Sequence, residues 1–288
     1  MKMIYIVGFG RSGSTLLDIM LGSDFRIFSS GELVNLIYAY LNGEYCSCGN
    51  KVDSCAFWSK AISEWRECNA LEDKDMRRFA LLDRKYSHPK SMKAWYCALF
   101  SPRKGNYSEY LVLLHSLLHA IQRNAGVDTI TDSSKSPVRL LNIMKLEGID
   151  GKIIHLVKHP YGIIQSLLKP LGVNIKKGVQ GELRTKSSFR TALRWVIVNR
   201  FARFSSSKTG CYSVQLKYEE LVLNPTDSLK NFVAGTTMKE PFRGTHICAG
   251  NRMRMLDEVY IQNNDLVPQR PNFIARIILS FYMKKAGY

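Results

Sequence analysis

The chain opens MKMIYIVGFGRSGSTLLDIML, and this stretch limits its fold more than any other. Residues 3–7 are a short apolar run that reads as a buried strand. Residues 15–21 carry apolar side chains at helical spacing. Between them lies the glycine-rich turn GFGRSG. A strand, a glycine turn and a helix start form an anion site, because free backbone N–H groups and the helix dipole both point into the turn. Two phosphate-binding patterns overlap there. Gly8, Gly10 and Gly13 spell G-x-G-x-x-G. Gly8, Gly13 and Thr15 also fit G-x-x-x-x-G-K-[ST], with Ser14 in place of the lysine.

Further strand-to-helix steps follow. Ile27 and Phe28 mark a short strand, and residues 32–41 read as helix. Residues 57–125 are helical without a clear strand, and YLVLLHSLLHAIQRNAG ends at Gly126, a natural C-cap. DTITDSS, GKIIHLVK and SVQLKYEEL each read as a strand leading into a turn and helix. Strands alternating with helices predict an α/β fold with a central parallel sheet flanked by helices. The 288 residues suit one domain, 1–288, carrying a largely helical insertion at about 57–125. LGVNIKKGVQGELRTK reads as a mobile loop, and NFIARIILSFYMKK as a terminal helix docked on the domain.

Two readings of the first loop compete. In the dinucleotide (Rossmann) reading, Glu32 is the acid about 20 positions on that contacts a ribose. SSGE has a simpler reading too: Ser29 as N-cap and Glu32 at N3 form a capping box. In the P-loop reading a lysine is needed to bridge the outer phosphates, and Ser14 brings no cation. Arg11 does. The loop is therefore built for a phosphate-like group met by arginine and backbone amides, and ordinary ATP hydrolysis is not expected. Charge agrees: 41 Lys+Arg stand against 24 Asp+Glu, a formal net charge of +17, which favours anionic partners without choosing among them.

GFGRSGSTLL followed by Glu32 resembles the 5′-phosphosulfate loop of the sulfotransferases. It is most similar to the Golgi tyrosylprotein, carbohydrate and bacterial branches, whose loop reads R-S-G-[ST]-T. The likeness recurs in order downstream. IIHLVKHPYGIIQSLL resembles the 3′-phosphate segment, with Lys158 at the arginine of R-D-P and Ser166 at its serine. TDSSKSP, with Lys135, resembles the lysine turn. LKYEELVLNP, with Tyr218, resembles Y-E-x-L-x-x-x-P. AGNRMR, with Asn251 and Arg252, resembles the late G-N segment. The resemblance runs from residue 4 to about 254, leaving the helical middle unmatched. It implies a P-loop-like three-layer fold, 3′-phosphoadenosine 5′-phosphosulfate (PAPS) as sulfuryl donor, and no metal requirement. Two departures stand out: Lys158-His159 replaces Arg-Asp, and lysine lacks the planar fork that binds phosphate bidentately.

The resemblance assigns roles. Arg11, Ser12, Gly13, Ser14 and Thr15 hold the 5′-phosphosulfate, and Lys158 and Ser166 the 3′-phosphate. Tyr218, Asn251 and Arg252 lie near the nucleotide. Arg11 and Lys135 neutralise the leaving group, and Glu32 is the base for the acceptor hydroxyl. The acceptor expected by analogy is a saccharide or glycan. A protein tyrosine, a lipid or a small alcohol remain alternatives. Acceptor choice is expected from 57–125 and the 170–190 loop.

Other signals are weaker. Seven cysteines and no visible export signal argue against a full disulfide framework. Cys46, Cys48, Cys55 and Cys68 suggest a metal, but C-x-C with a six-residue gap fits structural zinc poorly, so a disulfide or loop packing is expected. His115 and His119 are four apart on a helix without an acidic partner and read as a helix face. Arg184, Arg190, Arg194, Arg200 and Arg203 surround Trp195. They read as a solvated helix facing an anionic donor or acceptor, so no nucleic acid is expected as partner. No run of about 18 apolar residues occurs. A cytoplasmic protein is expected, with peripheral membrane contact left open.

Overall fold

The computed structural model describes residues 1–101, 105–168, 187–233, 235, 237–261, 273–285 and 287–288. The basic stretch expected as a loop at 171–186, with Arg184, lies outside the described residues.

Five strands form one sheet: β1 (Lys2–Gly8), β2 (Ile27–Phe28), β3 (Thr129–Lys135), β4 (Asp150–Val157) and β5 (Tyr212–Lys217). Their order is β2-β3-β1-β4-β5, and every pairing is parallel. In a Rossmann sheet the second strand lies beside the first. Here β3 separates β1 from β2, so the glycine pattern has the wrong sheet behind it for the dinucleotide reading.

Alternation along β1 sends its side chains into two cores. Met3, Tyr5 and Val7 face one, and Ile4 and Ile6 face the other. The second core is closed by α1 (Ser14–Leu21) and by α10 (Tyr218–Leu223). The first is closed by α2 (Leu36–Leu41), α3 (Ala56–Cys68), α4 (Asp73–Ser87), α5 (Met92–Phe100) and α6 (Asn106–Ala125). Trp58 and Trp65 of α3 are fully buried there with Phe79 of α4 and Tyr110 of α6. Truncating such a side chain costs about 3–5 kcal/mol. The helical middle therefore shares a core with β1.

A buried ion cluster fixes that layer to β3. Arg139, on α7 (Pro137–Ile143), donates from Nε to Asp132 of β3 at 2.8 Å and pairs through Nη1 with Asp83 of α4. All three side chains are almost fully buried. Removing one partner of such a cluster costs about 3–5 kcal/mol.

A third core forms at the carboxyl ends of β1 and β4. It joins α8 (Pro160–Leu168), α9 (Ser188–Lys208) and α12 (Phe273–Lys285), with Trp195, Val196, Ala275 and Leu279 buried. The last helix is thus docked, as its sequence predicts. Among the described residues no helix is long and apolar enough to cross a membrane.

Candidate active site

The turn between β1 and α1 is tight. Gly13 caps α1 in the left-handed region at φ 92°. A Cβ there would stand 2.3 Å from the Tyr218 ring. Arg11 also has positive φ, 72°, a conformation that costs a non-glycine residue about 1–3 kcal/mol. Ser12 folds inward and donates to the Phe9 carbonyl at 2.7 Å, which holds the turn shut from below. With Ser12 so used, Arg11, Gly13, Ser14 and Thr15 of the turn line the space above it.

The turn opens on a cavity of about 360 Å³ at the carboxyl ends of the strands, where open α/β sheets bind ligands. Its lining unites segments far apart in sequence: Arg11, Gly13, Ser14 and Thr15, then Glu32, Lys135, Lys158, Ser166, Tyr218 and Asn251. Ten of the twelve sequence-assigned site residues therefore converge. Ser12 lies beneath the turn instead. Arg252 is exposed and outside the lining, where Met253 takes the place next to Asn251. Arg252 still acts on the site, since its charge helps burial to lower the Arg11 pKa.

Among the described residues, three cations and one carboxylate share this lining. Lys158 is buried at the end of β4, its Nζ 4.0 Å above the Tyr218 ring. Arg11 Nε donates to Ser166 Oγ at 3.2 Å, linking the turn to α8. Lys135 ends β3 at φ 67°, where the pairing with β1 slips out of register. Its Nζ pairs with Glu32 Oε1 and donates to the Ser133 carbonyl at 3.1 Å. Glu32 Oε2 accepts from Asn35 at 3.3 Å. The SSGE capping box does not form. The turn Leu33–Asn35 is a 3₁₀ helix with Glu32 at its N-cap and no side-chain cap. Glu32 is drawn to Lys135 instead.

Asp18, fully buried on α1, anchors the backbone that carries Glu32. It accepts from the Gly31 N–H at 2.9 Å and Ser133 Oγ at 3.0 Å, and pairs with Thr131 Oγ1. Burial raises its pKa to about 6 against these hydrogen bonds. On the far wall the Asn251 N–H donates to Thr15 Oγ1 at 3.1 Å. That hydroxyl, which would hold magnesium in a nucleoside triphosphatase, is here an acceptor within the protein.

A second cavity of about 320 Å³ adjoins the first and shares Gly10, Arg11 and Lys135 with it. Its walls also include Pro89, between α4 and α5, and Leu167, Arg194 and Val198. Of the basic helix, Arg194 alone of the five arginines named above lines either cavity among the described residues. Arg200 lies against Tyr282 and Arg203 donates to Gln215 at 3.0 Å.

Residues 3–235 match the family model described as "Sulfotransferase family". The chain belongs to the sulfotransferase family. It is an enzyme family of sulfuryl transfer. A solved structure titled "Sulfotransferase Domain from the Curacin Biosynthetic Pathway" aligns with TM-score 0.53 and 17% identity, over 97% of this chain and 96% of that one. At that identity it shows a shared fold. Comparison with curated proteins finds no match.

This sulfotransferase also uses residues that the motifs did not reveal. Where the family has Arg-Asp-Pro, the His159 N–H donates to Glu219 Oε1 at 2.9 Å, and Tyr288 donates to Glu219 Oε2 at 2.7 Å. Glu219 supplies from the Y-E element a carboxylate at the turn that lacks its aspartate. Its position directly after Tyr218 was the available signal. Burial lowers the His159 pKa against the pull of Glu219. His115 and His119 face one another, Nε2 to Nε2 at 3.1 Å, on the surface of α6, in keeping with a helix face.

Proposed function

We propose that this sulfotransferase moves the sulfuryl group of PAPS to an acceptor hydroxyl on a saccharide or glycan. The observation that carries the reading is one cavity that joins, among the described residues, the glycine turn, three cations and a single carboxylate. The turn and Arg11 bind the 5′-phosphosulfate, and the N-terminus of α1 adds its positive potential. Lys158, with Ser166, binds the 3′-phosphate as a point charge. Tyr218 and Asn251 flank the nucleotide, and Arg252 adds charge from the rim.

The acceptor oxygen attacks sulfur in line with the bond to the 5′-phosphate oxygen. The new S–O bond forms as that bond breaks, and adenosine 3′,5′-bisphosphate leaves. Glu32 takes the hydroxyl proton. Arg11 and Lys135 neutralise the charge that builds on the leaving oxygen. Before the donor binds, Lys135 is paired with Glu32. Donor anions draw Lys135 towards the phosphosulfate and release Glu32 to act as base. The step draws on cations of this chain and calls on no metal.

The second cavity receives the acceptor, since it meets the first at Arg11 and Lys135. Pro89 brings the helical segment 57–125 into acceptor choice, which supports reading 1–288 as one domain with an acceptor-side insertion. Arg194 suits an acceptor that already carries negative charge. All seven cysteines are free, which supports a reducing, cytoplasmic location.

The test is direct. The protein is mixed with PAPS and a panel of saccharide, phenol and alkyl alcohols, and both products are measured by mass spectrometry. Equimolar adenosine 3′,5′-bisphosphate and sulfated saccharide support the reading. Sulfation confined to phenols would replace the acceptor class. Absence of transfer from PAPS to any acceptor, with no binding of PAPS, would overturn it.

A further inference from the structure

Outside the catalytic cavity, three thiols and one imidazole meet at a single point. Cys48 Sγ lies 3.6 Å from Cys55 Sγ, and Cys55 Sγ lies 3.3 Å from His246 Nδ1. With Cys46 Sγ, these four ligand atoms all fall within 4.8 Å of one another. Zinc–sulfur bonds of ~2.3 Å and zinc–nitrogen bonds of ~2.0–2.1 Å in a tetrahedron place neighbouring ligand atoms about 3.5–3.8 Å apart. The two measured separations already approximate those edges.

The surrounding chain is shaped to present these groups. Tyr45 and Lys51 form an antiparallel bridge. Within it the Cys46 N–H donates to Asn50 O at 2.8 Å and the Gly49 N–H to Cys46 O at 3.0 Å. Gly49 closes the turn at φ 86°. This tight turn explains how Cys46 and Cys48, only two apart, point to one centre. Cys55 is the N-cap of α3, where the helix dipole favours a thiolate. The carbonyl of His246 accepts from Trp58 Nε1 at 2.7 Å, and its ring stacks on Phe57 at 5.5 Å between centroids.

A second observation concerns charge. Three thiolates and a neutral imidazole around a divalent ion carry a net negative charge. Arg254 is 1% exposed, donates from Nη1 to the Ile247 carbonyl next to His246 at 3.4 Å, and lies within electrostatic reach of Cys248, Cys46, Glu44 and Glu32. Its Nε and Nη2 meet no hydrogen-bond acceptor among the described residues. A buried guanidinium of this kind is costly unless an anionic centre lies near it. Cys68 stands apart, exposed at the end of α3. The fourth ligand is thus a histidine 191 residues beyond Cys55, which no local spacing reveals.

We propose that Cys46, Cys48, Cys55 and His246 bind one zinc ion as a structural site. The ion fastens the 46–58 segment to the strand of chain that continues into the catalytic wall. From His246 that chain runs through Cys248, whose N–H donates to Ser30 O at 3.2 Å, and Ala249, whose carbonyl accepts from the Glu32 N–H at 3.3 Å. It then reaches Asn251 beside Thr15. The site does not depend on the identity of the sulfuryl donor.

The test reads the metal itself. Untagged protein is purified under reducing conditions, and its zinc content is measured by plasma mass spectrometry. The metal-stripped, reduced protein is then titrated with Co²⁺. One zinc per chain and a cobalt spectrum with thiolate charge-transfer and tetrahedral d–d bands are expected. Cys48 is exposed, so Cys48→Ser should fold as the parent does while its zinc affinity falls more than about 100-fold. His246→Ala should shift the cobalt bands. Seven titratable thiols after unfolding with a chelator are expected. A reduced, folded protein that gives no tetrahedral cobalt spectrum would overturn the proposal. So would a disulfide between Cys48 and Cys55 together with zinc affinity unchanged in Cys48→Ser.

Discussion

Replacing Glu32 by glutamine should move turnover and donor affinity in opposite directions. Glutamine keeps the shape and the contact with Asn35 but takes no proton from the acceptor. Loss of a positioned general base lowers kcat about 10²–10⁴-fold, or about 2.7–5.5 kcal/mol of barrier. The same change frees Lys135. In the donor-free protein its Nζ is bound to Glu32 Oε1, with both side chains about one-fifth exposed. Breaking such a partly exposed pair costs about 1 kcal/mol. Donor binding in the parent must overcome that cost, and in E32Q it need not. Adenosine 3′,5′-bisphosphate should therefore bind about fivefold more tightly to E32Q. Calorimetric titration gives the affinity, and single-turnover transfer from labelled PAPS gives the chemical rate. A merely structural Glu32 would lose affinity and rate together. Unchanged turnover would refute the base role, and weakened binding would refute the Lys135 exchange.

Other perturbations probe separate parts of the site. Lys158→Ala should weaken adenosine 3′,5′-bisphosphate about 10–100-fold, the worth of a charge-assisted contact, while leaving AMP affinity nearly unchanged; competitive titration of the two nucleotides reads the ratio. Gly13→Ala forces a Cβ to 2.3 Å from Tyr218 at φ 92° and should destabilise the protein by about 2–5 kcal/mol in chemical denaturation. Two buried groups set opposing pH slopes. Burial holds Asp18 up at about 6, so its contribution to stability is present at low pH and is lost as pH rises through 6. Burial holds His155 down at about 4 beside Asn199, so its contribution is present above its unfolded value and is lost as pH falls through 4. Asp18→Asn should thus expose the His155 slope, a loss of about 3 kcal/mol between pH 6.5 and 4 that the parent shows only in part.

The candidate site was legible because its parts sit at strand ends. Backbone geometry places the turn after β1, Lys135 after β3 and Lys158 after β4, so motifs read along the chain name residues that meet in space. Strand order was not legible in this way. Only pairing across the sheet shows that β3 separates β1 from β2 and removes the dinucleotide reading. Side-chain partners chosen across long separations were hidden as well. Glu32 leaves its expected capping role for Lys135, 103 residues away. Glu219 replaces a missing aspartate from 60 residues away. His246 joins three cysteines whose spacing alone pointed to a disulfide or loop packing, and all three are free thiols. Arg252 stands at the rim, not in the lining, because its segment turns as a 3₁₀ helix, Arg252–Met255, that places Met253 there.

The most direct measurement is thermal unfolding with adenosine 3′,5′-bisphosphate, NAD, NADP and ATP at equal concentration. The donor site as described predicts selective stabilisation by the bisphosphate, about 2.7 kcal/mol at a hundredfold excess over Kd. Stabilisation by NAD or NADP alone, with none from the bisphosphate, would contradict it.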